Sequence, residues 1–95
     1  MRESTLQRQI QGMVKLRGGK AIKFHGSSYT ESGIPDLLCS YRGRFVFFET
    51  KSPGGCISPI QEHRMAELIA TGARGGVMQT VGMAERILNE IDLET

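Results

Sequence analysis

A chain of 95 residues has room for one domain, residues 1–95, that buries roughly 60–65% of its unfolded surface on folding. Its 39% apolar and 23% charged residues are those of a soluble globular protein, and no apolar run approaches the roughly 18 residues that span a membrane. The net charge of +2 fits a nucleic-acid surface without requiring one. Cys39 and Cys56 lack zinc or disulfide spacing, and no signal-peptide core opens the chain, so a reduced cytoplasmic protein is expected.

Leu6, Ile10, Met13 and Val14 recur at helical spacing until Gly18-Gly19, which predicts a first helix over residues 3–17. Glu3 lies on the same stripe as Leu6 and Ile10. Two readings of it stand: an acid presented to whatever the stripe faces, or a charge that complements the helix dipole. In the second reading, Ser4 and Gln7 form a capping box and leave Glu3 outside the helix. Ala21, Ile22 and Phe24 make a short strand of Lys20 to His25. Lys15, Arg17, Lys20 and Lys23 concentrate positive charge there, either as solvated side chains or as a strip that tracks phosphates.

Residues 26–33, Gly-Ser-Ser-Tyr-Thr-Glu-Ser-Gly, have loop composition. Within them Tyr29 offers a ring for stacking on a base or sugar, and Ser27, Ser28 and Ser32 offer hydroxyls to phosphate; the alternative is that they only solvate the loop. His25 reads as a strand-end residue, since no second histidine stands at ligand spacing.

Leu37 to Tyr41 and Phe45 to Phe48 are apolar runs joined at Arg42-Gly43, a hairpin signal. With a two-residue turn, Tyr41 faces Arg44, and counting outward brings Asp36 opposite Glu49. Carboxylates so paired repel unless something between them compensates, and a hard divalent cation is the natural compensator. Lys51, two residues beyond Glu49, projects from the same face and adds a point-charge donor. The alternative is an ordinary surface ion cluster. Against it stand Pro35, which stiffens the approach to the strand, and Phe45, Phe47 and Phe48, which are expected to bury it.

After the Pro-Gly-Gly loop, Ser58-Pro59-Ile60-Gln61 is a helix start with serine at the N-cap, proline at N1 and glutamine at N3. Gln61 therefore has a complete role as half of a capping box. It also shares a stripe with Met65, Leu68 and Ile69, at the end of the helix that faces the acids. The helix ends near Thr71-Gly72, Gly76 to Gln79 makes a strand, and Ala84, Ile87, Leu88 and Ile91 mark a last helix. Strand, helix and strand make a crossover with parallel strands. The predicted fold is α/β with a mixed sheet, in the order α-β-β-β-α-β-α.

Gly33-Ile-Pro-Asp36, Glu49-Thr-Lys51 and Ser58-Pro-Ile-Gln61, in that order and spacing, resemble the signature of the VRR-NUC (virus-type replication-repair nuclease) domain, a branch of the PD-(D/E)xK nucleases. The resemblance runs from Glu3 to about the last helix and implies a restriction-endonuclease-like core. It implies that Asp36, Glu49 and the Thr50 backbone carbonyl bind Mg²⁺ or Mn²⁺, that Lys51 and Gln61 belong to the catalytic set, and that Glu3 points toward it. It further implies a DNA substrate, branched molecules such as Holliday junctions in small stand-alone members, a homodimer, and a phage or prophage origin. Two other classes remain: an inactive nucleic-acid-binding module of the same fold, and an interaction protein whose acids are merely solvated. Dependence of turnover on a divalent metal separates the three.

Overall fold

The computed structural model describes residues 2–26 and 30–94. Along the chain lie α1 (Glu3–Leu16), β1 (Lys20–Lys23), β2 (Leu37–Tyr41), β3 (Arg44–Thr50), α2 (Pro59–Ala70), β4 (Arg74–Met78) and α3 (Val81–Glu94). This is the expected element order. α1 forms because Leu6, Ile10 and Val14 recur once per turn and are all buried. Arg2 occupies its N-cap without a side-chain bond, so Ser4 lies inside the first turn and the anticipated Ser4–Gln7 capping box does not form. Gln7 turns inward with the apolar stripe and is only 8% exposed.

The strands form one sheet in the order β1-β2-β3-β4. The hairpin has the register read from its sequence, with Tyr41 opposite Arg44 and Leu37 opposite Phe48. Its two turn residues, Arg42 at φ 49° and Gly43 at φ 74°, take the positive dihedrals of a type I′ turn, whose twist matches that of the flanking strands. β1 pairs antiparallel with β2, and β4 pairs parallel with β3 after the crossover through α2. β4 starts two residues before the expected Gly76, because Gly75 pairs with Phe47.

One sheet face, carrying Leu37, Cys39, Tyr41, Val46 and Phe48, packs on α1 and α3 to make the core. α2 lies over the other face at β4, where Phe47 is fully buried. Its cover is partial. Ile22, Leu38 and Phe45 line an apolar groove beside it, and Phe45 is 45% exposed rather than buried as expected. Phe45 shares the face of Phe47 by strand alternation, yet stands at the turn end of β3, where no helix covers it.

Arg17 has partners within the fold. Its guanidinium bonds Asp92 and Asn89 of α3, each at 2.7 Å, and Asp92 also accepts from the Tyr41 hydroxyl at 2.7 Å. Asp92 offsets the Arg17 charge and ties α1, β2 and α3 together at the turn end of the hairpin. The five residues of β2 separate that cluster from Asp36 by roughly 16 Å, at about 3.3 Å per residue.

Candidate active site

The opposite end of the hairpin gathers the acids. Since Leu37 faces Phe48, the next position outward brings Asp36 opposite Glu49 where the ladder ends. The Asp36 backbone is held from β1, whose following residue Phe24 donates its N–H to the Asp36 carbonyl at 2.8 Å. Its carboxylate is held from β3: Oδ2 accepts from the Thr50 N–H at 3.0 Å and from the Thr50 hydroxyl at 2.8 Å. Thr50 is fully buried, and its Oγ1 in turn accepts from Gln7 Nε2 of α1 at 2.9 Å. The sequence pattern marks neither the Thr50 hydroxyl nor Gln7 as part of the site. Its one available signal is a glutamine on the apolar stripe of α1.

Glu49 is 2% exposed. Its Oε2 accepts from Gln61 Nε2 at 3.1 Å and stands 3.8 Å from the Lys51 ammonium. Its Oε1 is buried with no partner among the described residues. Burial, and next the charge of Asp36, push the carboxyl from 4.5 up to about 7, while Lys51 pulls it the other way.

That shift links stability to pH. The folded protein holds the Glu49 proton more tightly than the unfolded chain does. The resulting stabilisation is therefore complete below about pH 4.5 and is lost as pH rises through about 7. Its full size is on the order of 3 kcal/mol. Glu49→Gln removes the titration, so in EDTA the variant is expected to match wild type near pH 4 and to melt higher at pH 8. Thermal melts at the two pH values check this; equal pH slopes would assign the titration to another group.

Gln61 serves the cap and the acid together. Its Oε1 accepts from the Ser58 N–H at 3.0 Å and its backbone N–H donates to Ser58 Oγ at 3.3 Å, which completes the capping box. The remaining end of the amide, Nε2, reaches Glu49. The donor at Ser58 requires a carbonyl oxygen in front of it, so the cap itself fixes which way the amide points. The N-terminus of α2 thereby faces the acids, and its dipole favours negative charge there. Arg64 bonds the Ser32 carbonyl at 3.0 Å and holds the loop before Asp36 against α2.

The other expected site residues are more scattered. Glu3 stands exposed in the first turn of α1, four residues before Gln7 on the same side of the helix. Lys15 is exposed in the last turn of α1. Lys20 and Lys23 are exposed on β1 and, three residues apart, project from opposite faces; Lys23 pairs with Leu37, next to Asp36. Tyr29 lies outside the described residues. Cys39 is buried and Cys56 exposed, and both are free.

A hard divalent cation fits the donors present. They are all oxygen, two of them carboxylates at one sheet end, and the partnerless buried oxygen of Glu49 is open to a cation. Among the described residues no three of His, Cys, Asp and Glu come together, so backbone oxygen and water would complete such a shell.

A mixed four-stranded sheet with acids at the end of its hairpin and a Glu-x-Lys where the third strand ends is the core of a PD-(D/E)xK nuclease fold. No family model matches the chain. It is 34% identical over 73 residues to the protein named "Putative nuclease p44" of Acyrthosiphon pisum secondary endosymbiont phage 1, a match that spans 76% of each. Among solved structures, a VRR_NUC domain superposes with a TM-score of 0.76 at 25% identity, covering 92% of this chain and 94% of its own. The Holliday junction resolvase Hjc of Archaeoglobus fulgidus superposes with a TM-score of 0.60 at 17% identity, covering 81% of this chain and 67% of its own, a likeness of fold. The chain belongs to the VRR-NUC family.

Proposed function

We propose that this chain is a metal-dependent DNA endonuclease that hydrolyses phosphodiester bonds and is selective for branched DNA such as Holliday junctions. The observation that carries the reading is the Glu49 carboxylate: buried, short of one partner, opposite Asp36 and beside Lys51. A buried acid kept in that state has a task that needs a cation. The name of the resolvase with the shared fold supports a junction substrate, and that of the phage relative supports a phage or prophage protein at work in the host cytoplasm. Among the described residues no helix is long and apolar enough to cross a membrane.

In this reading Asp36 and Glu49 hold Mg²⁺ or Mn²⁺, with the Thr50 backbone carbonyl as a further ligand and Glu3 serving a second ion or its shell. When bound, such an ion polarises a phosphoryl oxygen and lowers the pKa of a water. Gln61 holds Oε2 of Glu49, and Oε1 has no partner among the described residues, so Glu49 would be free to hold an ion. Lys51 orients the attacking water or offsets the negative charge that builds on the phosphorane as a P–O bond forms to water and the P–O bond to the leaving strand breaks. Lys15, Lys20, Lys23 and Tyr29 contact the DNA. Two copies about a two-fold axis present two sites to two strands, so a homodimer suits the task; a monomer at micromolar concentration by light scattering would count against it.

The test is cleavage of labelled four-way junction, flap, single-stranded and linear duplex DNA with Mg²⁺, with Mn²⁺ and with EDTA. Cutting that requires metal and favours the junction is expected. Tight junction binding without cutting under either metal would convert the reading to an inactive binding module.

A further inference from the structure

A buried glutamine on the apolar stripe of α1 needs an explanation. Gln7 is 8% exposed beside Leu6 and Ile10, and its Oε1 is buried with no partner among the described residues. Leaving such an acceptor unsatisfied destabilises the fold by the desolvation it has lost and not regained. Leucine or methionine would fill the position without that cost. The gain has to come from the other end of the amide, and that end bonds Thr50 Oγ1 at 2.9 Å.

The proton count along this chain of bonds allows one arrangement. The Thr50 hydroxyl donates to Asp36 Oδ2, which commits its single hydrogen. Thr50 Oγ1 must then accept from Gln7, which turns the amide NH₂ toward Thr50 and leaves Oε1 as the orphan. Removing the Gln7 donor frees the Thr50 rotor. Holding it directs the hydroxyl to Asp36 and, with the Thr50 N–H, engages Oδ2 twice, so that Oδ1 is the carboxylate oxygen that Thr50 does not hold.

We propose that Gln7 is a positioning residue of the nuclease site: through the Thr50 hydroxyl it fixes the orientation of the Asp36 carboxylate for a divalent cation. The inference rests on the metal-site reading of Asp36 and Glu49. It adds to that reading a link from the first helix to the acid of the second strand, across 43 residues of sequence. Partners that orient a metal-binding side chain in this way typically account for about 10- to 100-fold in metal affinity when removed.

Two measurements on the protein without DNA test it, with Gln7→Leu, Thr50→Val, their double variant and Thr50→Ser. The first is Mn²⁺ binding by calorimetry. Gln7→Leu and Thr50→Val are each expected to weaken Mn²⁺ by about 10-fold or more, the double variant to be little worse than either single because both break one chain, and Thr50→Ser to stay near wild type. Gln7→Leu with wild-type affinity, or single effects that multiply in the double, would overturn the proposal. The second is the amide proton resonance of Thr50 in metal-free protein, whose position reports its bond to Asp36. In Gln7→Leu it should move toward its position in Asp36→Ala; if it stays at the wild-type position, Gln7 does not orient Asp36. Should wild type bind no Mn²⁺ while the Thr50 resonance still moves, the positioning stands and the metal reading falls.

Discussion

Lys51→Ala is expected to lower the rate of junction cleavage by about 10²- to 10³-fold at saturating metal, the loss usual for one charge-stabilising donor in a hydrolytic site. The ammonium stands 3.8 Å from Glu49 Oε2 on a side chain still 21% exposed. Its partner Glu49 is buried and, without the ammonium, takes up a proton more readily, so the fold is kept and the melting temperature should fall by several degrees at most. The proposed metal ligands Asp36 and Glu49 are untouched, and removing a neighbouring cation reduces repulsion of a divalent ion; the metal concentration for half-maximal activity should therefore not rise through lost ligation. Lys51→Arg should not restore the rate, because a planar fork cannot reproduce a compact point charge at the end of a straight stem. Single-turnover cleavage of a labelled four-way junction measures the effect. Activity of Lys51→Ala within threefold of wild type would remove this side chain from the mechanism and leave it as a neutralising neighbour of Glu49.

The core of this site is legible in the amino-acid sequence because it depends on short-range rules. A two-residue turn at Arg42-Gly43 and the two-residue period of a strand are enough to set Asp36 opposite Glu49, and the ladder has that register. Ser58-Pro59 with Gln61 three residues on likewise announces the start of α2 and its capping box. What is not legible depends on contacts made at a distance. Arg17 reads as one more cation among lysines, but its partner Asp92 lies 75 residues away. Phe45 and Phe47 are equivalent in the strand pattern, and packing from beyond the strand decides that one is buried and the other is not. Gln7 follows Ser4 at capping-box spacing, and that local pattern hides the role it has instead across the fold toward Thr50.

Gly75→Ala is expected to cost the domain at least about 3–4 kcal/mol, a loss reserved for backbone strain and overpacking that cannot relax. Gly75 holds a φ of 149°, in the region that L side chains avoid, and a Cβ there would fall onto the Phe47 carbonyl oxygen and 2.9 Å from Phe47 Cγ. The obstruction is main chain of β3, so it cannot swing aside as a side-chain tip would. Phe47 is fully buried and pairs with Gly75, and Glu49 follows it by two residues. Pushing β3 away from β4 therefore displaces the buried acid as well as the core. For a domain of this size the drop in melting temperature should exceed about 12 °C, at roughly 4–8 °C per kcal/mol, and cleavage should fall with the folded fraction. Gly76→Ala is the matched control: its Cβ would meet only the Met78 Cε at 3.8 Å, an ordinary contact. Thermal melts of the two variants beside wild type decide the matter. If Gly75→Ala and Gly76→Ala melt alike, β3 and β4 do not approach closely at Phe47, and the crossover does not fix the position of Glu49 in the way described.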